Sequence, residues 1–191
     1  MPYPENSISG VTDKEIDSLC NESMAVQVFL ERWSRGGYRQ LMPWSDPETD
    51  TVVKEQVLRY GRADIVMYHA DGTATVIEAK DGINGYQYVA SAIGQVSLYA
   101  TQIAARGTLK RVRRVVMWSG IPDDDKNDLI RDVCKDADVL PICLGHLRAT
   151  LKLRAALHRL FDTWEECNTS DDRRVSHILE ILETFYGVEK R

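Results

Sequence analysis

Residues 61 to 80 read GRADIVMYHADGTATVIEAK, and this stretch decides the fold. β-Branched and other apolar residues recur in both halves, while Asp71-Gly72 lies between them. An Asp-Gly pair between two such runs is typical of a tight hairpin turn. The sequence therefore predicts two antiparallel strands, at about 62 to 69 and 73 to 80.

Strands and helices alternate on either side of this hairpin. The residue patterns predict further strands at about 52 to 60, 112 to 118 and 139 to 144, and helices at about 13 to 34, 86 to 105, 124 to 135, 146 to 166 and 172 to 186. The order αβββαβαβαα indicates an α/β protein with a mixed central sheet flanked by helices. We expect residues 1 to 145 to form the core and residues 146 to 191 a C-terminal helical extension that packs on the core or on a partner.

Composition limits the class of protein. A chain of 191 residues with 43% apolar residues is long enough to bury one sizeable core. A net charge of -5 argues mildly against a protein that coats nucleic acid, although it permits a local basic track. The opening residues MPYPENSISG lack a secretory pattern, and no apolar run is long enough to cross a bilayer. We therefore expect a cytoplasmic protein with no membrane partner.

The four cysteines form no C-x-x-C pair, and the four histidines fall at no zinc-ligand spacing.

Three charged residues of the hairpin point to chemistry. Glu78 and Lys80 are two apart on a predicted strand, so their side chains leave the same face. Asp64 lies on the neighbouring strand among apolar residues, where an isolated charge is costly unless something compensates it. Mg²⁺ would do so, because it prefers oxygen ligands and binds phosphate oxygens through its open positions. The alternative is a structural salt bridge between Lys80 and a carboxylate.

Two sets of residues carry a resemblance to a known family. G-R-A-D at 61 to 64 and V-I-E-A-K at 76 to 80 resemble the core motif of the PD-(D/E)XK nuclease superfamily, with Ala63 where the family has proline. Gln95 and Tyr99 match the Q-x-x-x-Y motif of its RecB-like branch. The resemblance covers residues 13 to 145 and implies a restriction-endonuclease-like αβββαβ core.

The resemblance also implies roles for individual residues. Asp64 and Glu78 would bind Mg²⁺, with Mn²⁺ as a substitute, Ala79 would contribute its backbone carbonyl, and Lys80 would serve the attacking water. We predict that Gln95 is a catalytic residue whose amide holds a metal-bound water or a phosphate oxygen, the alternative being packing between helix and sheet. The expected reaction is phosphodiester hydrolysis of DNA through a water activated by Mg²⁺.

The family often adds a glutamate from its first helix. Glu22 interrupts the apolar stripe of that predicted helix and therefore faces inward, whereas Glu31 falls on the polar face. We predict that Glu22 is a catalytic and metal-binding residue, the alternative being a boundary residue that reaches solvent. Glu55 is a reserve candidate, because edge-strand glutamates are usually solvated.

Side chains for the DNA backbone can also be proposed. We predict that Tyr99, Arg111, Arg113 and Arg114 contact DNA, although Tyr99 equally suits the core and basic clusters are often only solvated surface. A second basic cluster alternates with leucines in the C-terminal region and suits phosphate contacts or a homo-oligomer interface; it comprises Arg148, Lys152, Arg154 and Arg159.

Other functions compete with the active nuclease. An inactive nuclease-fold subunit could bind DNA or assemble a phage, repair or defence complex. RNA cleavage ranks below DNA cleavage, because the sequence has no RRM or KH signature. A serine or cysteine nucleophile is set aside, because no G-x-S-x-G occurs and nothing links a cysteine to a particular histidine. The Q-x-x-x-Y match leans only weakly towards an exonuclease over an endonuclease.

Overall fold

A computed structural model describes residues 21 to 145, together with residue 147. Its three helices are α1 (Glu22–Ser34), α2 (Tyr86–Ala104) and α3 (Asp124–Asp136), and a short 3-10 turn, Gly82–Asn84, precedes α2. The strands are β1 (Thr51–Leu58), β2 (Gly61–Tyr68), β3 (Ala74–Lys80), β4 (Val112–Trp118) and β5 (Leu140–Cys143). Thr12 followed by Glu15 has the form of a capping box in the sequence, but these residues, the two predicted C-terminal helices and their basic cluster lie outside the described residues.

The five strands form one mixed sheet in the order β1-β2-β3-β4-β5. The first three strands are antiparallel, and β4 and β5 continue parallel to β3. The predicted hairpin joins β2 and β3, with Gly72 at a φ of +80° that a residue bearing a side chain would rarely adopt. The prediction of an α/β protein with a mixed sheet is confirmed.

Helices cover both faces of the sheet. On one face, α2 packs against the central strands and α3 packs against α2 and β5. The core there includes Val66, Val76 and Val116 of the sheet, with Val96 and Ile130 of the helices. Strand alternation turns their neighbours to the other face, where α1 packs on β3 and β4. Within the part of the chain described, no helix is long and apolar enough to span a membrane.

The first helix begins later than the sequence pattern indicates. Asn21 has an extended backbone, with φ -82° and ψ 177°, and its side chain accepts the Met24 N–H at 3.0 Å. Such a side-chain cap satisfies an amide that has no partner inside the helix, so it marks the start of α1 at Glu22. The predicted start near residue 13 is therefore wrong for this helix, while the predicted end near residue 34 is confirmed.

A buried polar network fastens the loop before β1 to the sheet. Asp50 Oδ2 accepts hydrogen bonds from the Ser45 hydroxyl at 2.7 Å and the Asp46 N–H at 2.9 Å, and lies 2.7 Å from His69 Nδ1. The other ring nitrogen of His69 lies 2.8 Å from Thr75 Oγ1. The network places a charged group under the sheet with its hydrogen bonds satisfied, which is the condition for burying one.

Candidate active site

The strands β2 and β3 part where the charged residues lie. Their backbone pairing runs from Tyr68 opposite Ala74 to Ile65 opposite Ile77 and stops there. Beyond this point, Asp64 Oδ2 accepts the Ala79 N–H at 2.7 Å. The Asp64 side chain thus replaces a backbone carbonyl as the hydrogen-bond partner of β3. An opening between the two strands results, and Asp64 stands in it.

Glu78 and Lys80 occupy the β3 side of this opening. The Lys80 ammonium donates to Glu78 Oε1 at 2.8 Å, and the two residues are 5% and 3% exposed. Glu78 Oε2 is also buried, but it has no hydrogen-bond partner among the described residues. A buried carboxylate oxygen without a partner is unusual and calls for a ligand or a proton.

Glu22 and Tyr88 complete the group from two helices. Glu22, the first residue of α1, places Oε1 3.8 Å from Lys80 Nζ and accepts the Tyr88 hydroxyl at 2.7 Å. The Tyr88 ring lies 5.3 Å from the same ammonium, within cation–π range. The structure therefore brings together Glu22, Asp64, Glu78, Lys80 and Tyr88, which we call the acidic cluster.

Sequence reasoning missed Tyr88. It lies seven residues before Gln95 and eleven before Tyr99, with Ala92 between, and this spacing places all four on one helix face. Extending the Q-x-x-x-Y motif back by two turns would have found it.

The charges of the acidic cluster are unbalanced. Burial raises the pKa of Glu78 to about 7, helped by the nearby Asp64 and Glu22 carboxylates and opposed by Lys80. Burial also raises the pKa of Asp64, although the hydrogen bond from Ala79 works against the shift. For Lys80 burial lowers the pKa, but the bond to Glu78 and the charges of Glu78 and Glu22 outweigh it, so the pKa is raised. Three carboxylates thus share one ammonium, and a further cation would relieve their repulsion.

The oxygen atoms available suit Mg²⁺. Among the described residues, no three His, Cys, Asp or Glu side chains are arranged to hold one ion together. Mg²⁺ does not need such a cage, because it usually binds through one or two carboxylates and keeps several waters. Asp64 and Glu78 offer two carboxylates beside each other, and Glu78 Oε2 has no hydrogen-bond partner among the described residues. The donor set therefore fits a hard divalent cation.

Gln95 and Tyr99 lie along α2 beyond the acidic cluster. Gln95 Oε1 is buried with no hydrogen-bond partner among the described residues. Tyr99 is 8% exposed and packs over Gly61, where an added Cβ would lie 2.7 Å from the tyrosine hydroxyl. The structure thus gives Tyr99 a packing role at the start of β2, and its predicted contact with DNA stays a prediction.

A cavity of about 760 Å³ opens beside Asp64, between α1 and the first two strands. Glu22, Gln27, Lys54, Glu55 and Arg62 also line it. Glu55 stands opposite Asp64 on β1 with a φ of +51°, a strained conformation for a residue other than glycine. Its carboxylate is exposed and lies 3.5 Å from Arg62. The reserve candidate Glu55 therefore borders the cavity beside the cluster.

The three predicted DNA-binding arginines lie elsewhere. In the register of β3 and β4, Arg113 lies opposite Thr75 and Arg114 opposite Val76. Lys80 lies opposite Trp118, at the far end of the same two strands. Arg111, Arg113 and Arg114 line a different cavity from Asp64. The structure does not bring them together with the acidic cluster.

Geometry and charge carry the functional argument for this chain. No protein-family model matches it, and no curated protein does. The acidic cluster offers two carboxylates suited to a hard cation, an ammonium beside them, and a cavity that reaches Asp64. That combination is suited to hydrolysis of an anionic substrate.

Proposed function

We propose that this chain is a magnesium-dependent DNA nuclease that hydrolyses phosphodiester bonds at the acidic cluster. The observation that carries the proposal is the opening between β2 and β3, in which Asp64, Glu78 and Lys80 converge. The αβββαβ order and the mixed sheet support a restriction-endonuclease-like core of the PD-(D/E)XK type. The motifs at 61 to 64, 76 to 80 and 95 to 99 point the same way.

Each residue of the cluster has a proposed task. Asp64, Glu78 and the carbonyl of Ala79 would hold Mg²⁺, or Mn²⁺ in its place, and Glu22, whose Oε1 lies 3.8 Å from Lys80 Nζ, is proposed as a further carboxylate of the site. When bound, the cation supplies positive charge that offsets the charge on the phosphate oxygens. Gln95 contributes its partnerless amide oxygen as an acceptor for a nearby water.

Lys80 acts as a hydrogen-bond donor rather than as a base. Its raised pKa keeps the ammonium protonated at neutral pH, so it has no free lone pair. Its Nζ is held by Glu78 at 2.8 Å and by the Tyr88 ring, which fixes its position. An ammonium fixed in this way can orient the attacking water and offset the charge that develops on the phosphate.

The cavity beside Asp64 is the proposed place for the DNA strand. Lys54 and Arg62 line it and supply cations that suit a phosphate backbone, although Arg62 already lies 3.5 Å from the Glu55 carboxylate. Three carboxylates also line the cavity, so we expect binding to depend on the metal as well as on these two cations. RNA could be cut by the same chemistry and is a comparison substrate.

The test is a cleavage assay with matched variants. Closed circular, linear and single-stranded DNA and an RNA strand are incubated with Mg²⁺, Mn²⁺ or EDTA. We expect metal-dependent cutting by the wild type, a loss of about a hundredfold or more in Glu78→Gln and Lys80→Ala, and wild-type activity in the exposed control Glu48→Gln. Cutting of the closed circle would identify an endonuclease. Cutting that persists in EDTA or in Glu78→Gln would contradict the proposal.

The ion pair between Lys80 and Glu78 favours a second candidate function. The pair already satisfies one glutamate oxygen, as a structural salt bridge would, so the cluster could serve an inactive subunit that binds DNA or assembles a complex. Titration calorimetry with Mn²⁺ separates the two functions. A folded wild-type protein that binds no metal and cuts no DNA would support the inactive subunit. A homo-oligomer through the C-terminal region stays a prediction.

A further inference from the structure

A second cavity, of about 690 Å³, opens at the start of β4, at the opposite end of the β3–β4 pair from Lys80. Four cationic side chains and a single carboxylate line it, together with one indole: Arg111, Arg113, Arg114, Lys135, Asp138 and Trp44. The whole chain carries a net charge of -5, so this concentration of positive charge is local. We call it the arginine cavity.

Two of the four cations already have carboxylate partners. Arg114 lies 3.1 Å from Asp138 Oδ2 and also donates to the Asp138 carbonyl. Lys135 lies 3.0 Å from Asp132, one turn earlier on α3. The Lys135 pair is exposed and the Arg114 pair is half-buried on the arginine side, and each balances one of the two charges locally.

The other two cations, Arg111 and Arg113, have no carboxylate within ion-pair distance among residues 21 to 145. Arg111 is exposed and Arg113 is half-buried. Burial lowers the pKa of Arg113, the Asp71 carboxylate opposes this shift, and the charge of Arg111 adds to the lowering. Arg113 is linked to Asp71 through the Thr73 hydroxyl, which bonds to both, but neither guanidinium has a carboxylate in direct contact within these residues.

Arg113 is also held in place. Its guanidinium carbon lies 4.6 Å from the centre of the Trp44 ring, and Nη1 donates to Thr73 Oγ1 at 2.6 Å. The Trp44 indole in turn donates to Thr75 Oγ1 at 3.1 Å. A guanidinium that is already ordered loses little conformational entropy when a ligand binds, which favours binding.

We propose that the arginine cavity binds a phosphate group, with Arg111 and Arg113 as its main contacts. Guanidinium groups match the spacing of phosphate oxygens and form paired, charge-assisted hydrogen bonds with them. The phosphate belongs either to a DNA strand that passes over this end of the sheet or to a small phosphate compound. The inference holds whether or not the acidic cluster hydrolyses DNA, because the two cavities share no lining residue.

The test measures binding in EDTA at low salt, so that metal bound at the acidic cluster cannot hold the probe. Titration calorimetry uses two probes, inorganic pyrophosphate and a short oligothymidylate. The variant is Arg111→Gln combined with Arg113→Gln. The control is Arg59→Gln, an exposed arginine outside the cavity that stacks on Tyr60 at 5.0 Å. Circular dichroism checks that each variant is folded.

We expect saturable binding by the wild type, weakened about tenfold or more in the double variant and unchanged in the control. Binding of pyrophosphate alone identifies a small phosphate compound. Oligothymidylate binding that pyrophosphate displaces identifies a DNA strand. Either result supports the site. A wild type that binds neither probe, or a control that loses as much affinity as the double variant, overturns it.

A chemical measurement covers the case in which the double variant does not fold. Phenylglyoxal modifies arginines of the wild-type protein, and peptide mass spectrometry reads the modification at each position. Pyrophosphate or oligothymidylate should protect Arg111 and Arg113 while leaving Arg59 reactive. Equal reaction at these arginines with and without both probes overturns the proposal.

Discussion

Glu78 has two oxygen atoms in unlike surroundings. Oε1 receives the Lys80 ammonium at 2.8 Å, whereas Oε2 is buried without a partner among the described residues. Burial is the main reason that the pKa of Glu78 rises to about 7, and the nearby Asp64 and Glu22 carboxylates also favour the protonated form. A proton and a divalent cation are therefore alternative ways of satisfying the same oxygen.

The pKa of Glu78 predicts how stability depends on pH in EDTA. A carboxyl group with a folded pKa near 7 and an ordinary unfolded pKa binds its proton more tightly when folded. Protonation of Glu78 therefore adds to the free energy of unfolding below the unfolded pKa. This contribution, on the order of 3 kcal/mol, is lost as pH rises towards 7. Urea denaturation across this range should show a decline that Glu78→Gln flattens. An equally steep decline in that variant would refute the assignment.

Tyr88 is a positioning residue, since it holds both Glu22 and Lys80. Tyr88→Phe keeps the ring over the ammonium and removes the hydroxyl bond, so we expect kcat to fall about threefold to tenfold with KM little changed. Tyr88→Leu removes both contacts and should lower kcat further. Tyr86→Phe, which alters an exposed tyrosine on the same helix, is the control. Equal activity in Tyr88→Leu and wild type would show that the contacts do not serve catalysis.

At the scale of secondary structure, the hairpin was the easiest part to predict. The Asp71-Gly72 turn and the β-rich runs around it depend on local chemistry, and β3 ends at Lys80 as predicted. The start of α1 was not predictable in this way. Asn21 is not followed by a Glu or Gln three residues later, so its sequence lacks a capping box, and the bond between Glu22 and Tyr88 of another helix cannot be predicted from local sequence.

The opening between β2 and β3 could not be predicted either. The spacing of Glu78 and Lys80 predicted that both side chains lie on one face of a strand, and the family resemblance predicted that Asp64 binds metal. Asp64 can accept the Ala79 N–H only because the backbones of β2 and β3 stop pairing after Ile65 and Ile77. This divergence is a property of the folded sheet. The same holds for Arg113, whose position at the far end of the strand pair follows from the register of β3 and β4.

The network beneath the sheet gives a prediction at this scale. Asp50 Oδ2 faces three groups, from Ser45, Asp46 and His69, and its side chain is 2% exposed. Asp50→Ala removes the partner of two buried groups, the Ser45 hydroxyl and the His69 ring, so we expect a loss of about 2 to 5 kcal/mol in the free energy of unfolding. Asp132→Ala, which removes an exposed ion pair, should cost less than about 1 kcal/mol. Urea denaturation compares the two, and similar losses would show that the network adds no stability.

Across the whole described part of the chain, opposite charges collect at opposite ends of the β3–β4 pair. The acidic cluster lies where these strands end, and the arginine cavity lies where they begin. A net charge of -5 disfavours binding of a polynucleotide through the overall charge of the chain. Contact with an anionic strand therefore requires local groups of cations, and its strength should depend on salt.

Gly61 and Tyr99 link two parts of the sequence that otherwise look separate. The glycine opens the G-R-A-D run and the tyrosine closes the Q-x-x-x-Y run, and the ring fills the space that a side chain at position 61 would need. Gly61 also has a φ of +120°, which excludes most other residues. The two motifs are thus halves of one packing contact, so a side chain at position 61 would need the ring at position 99 to give up its place as well as a change in the backbone.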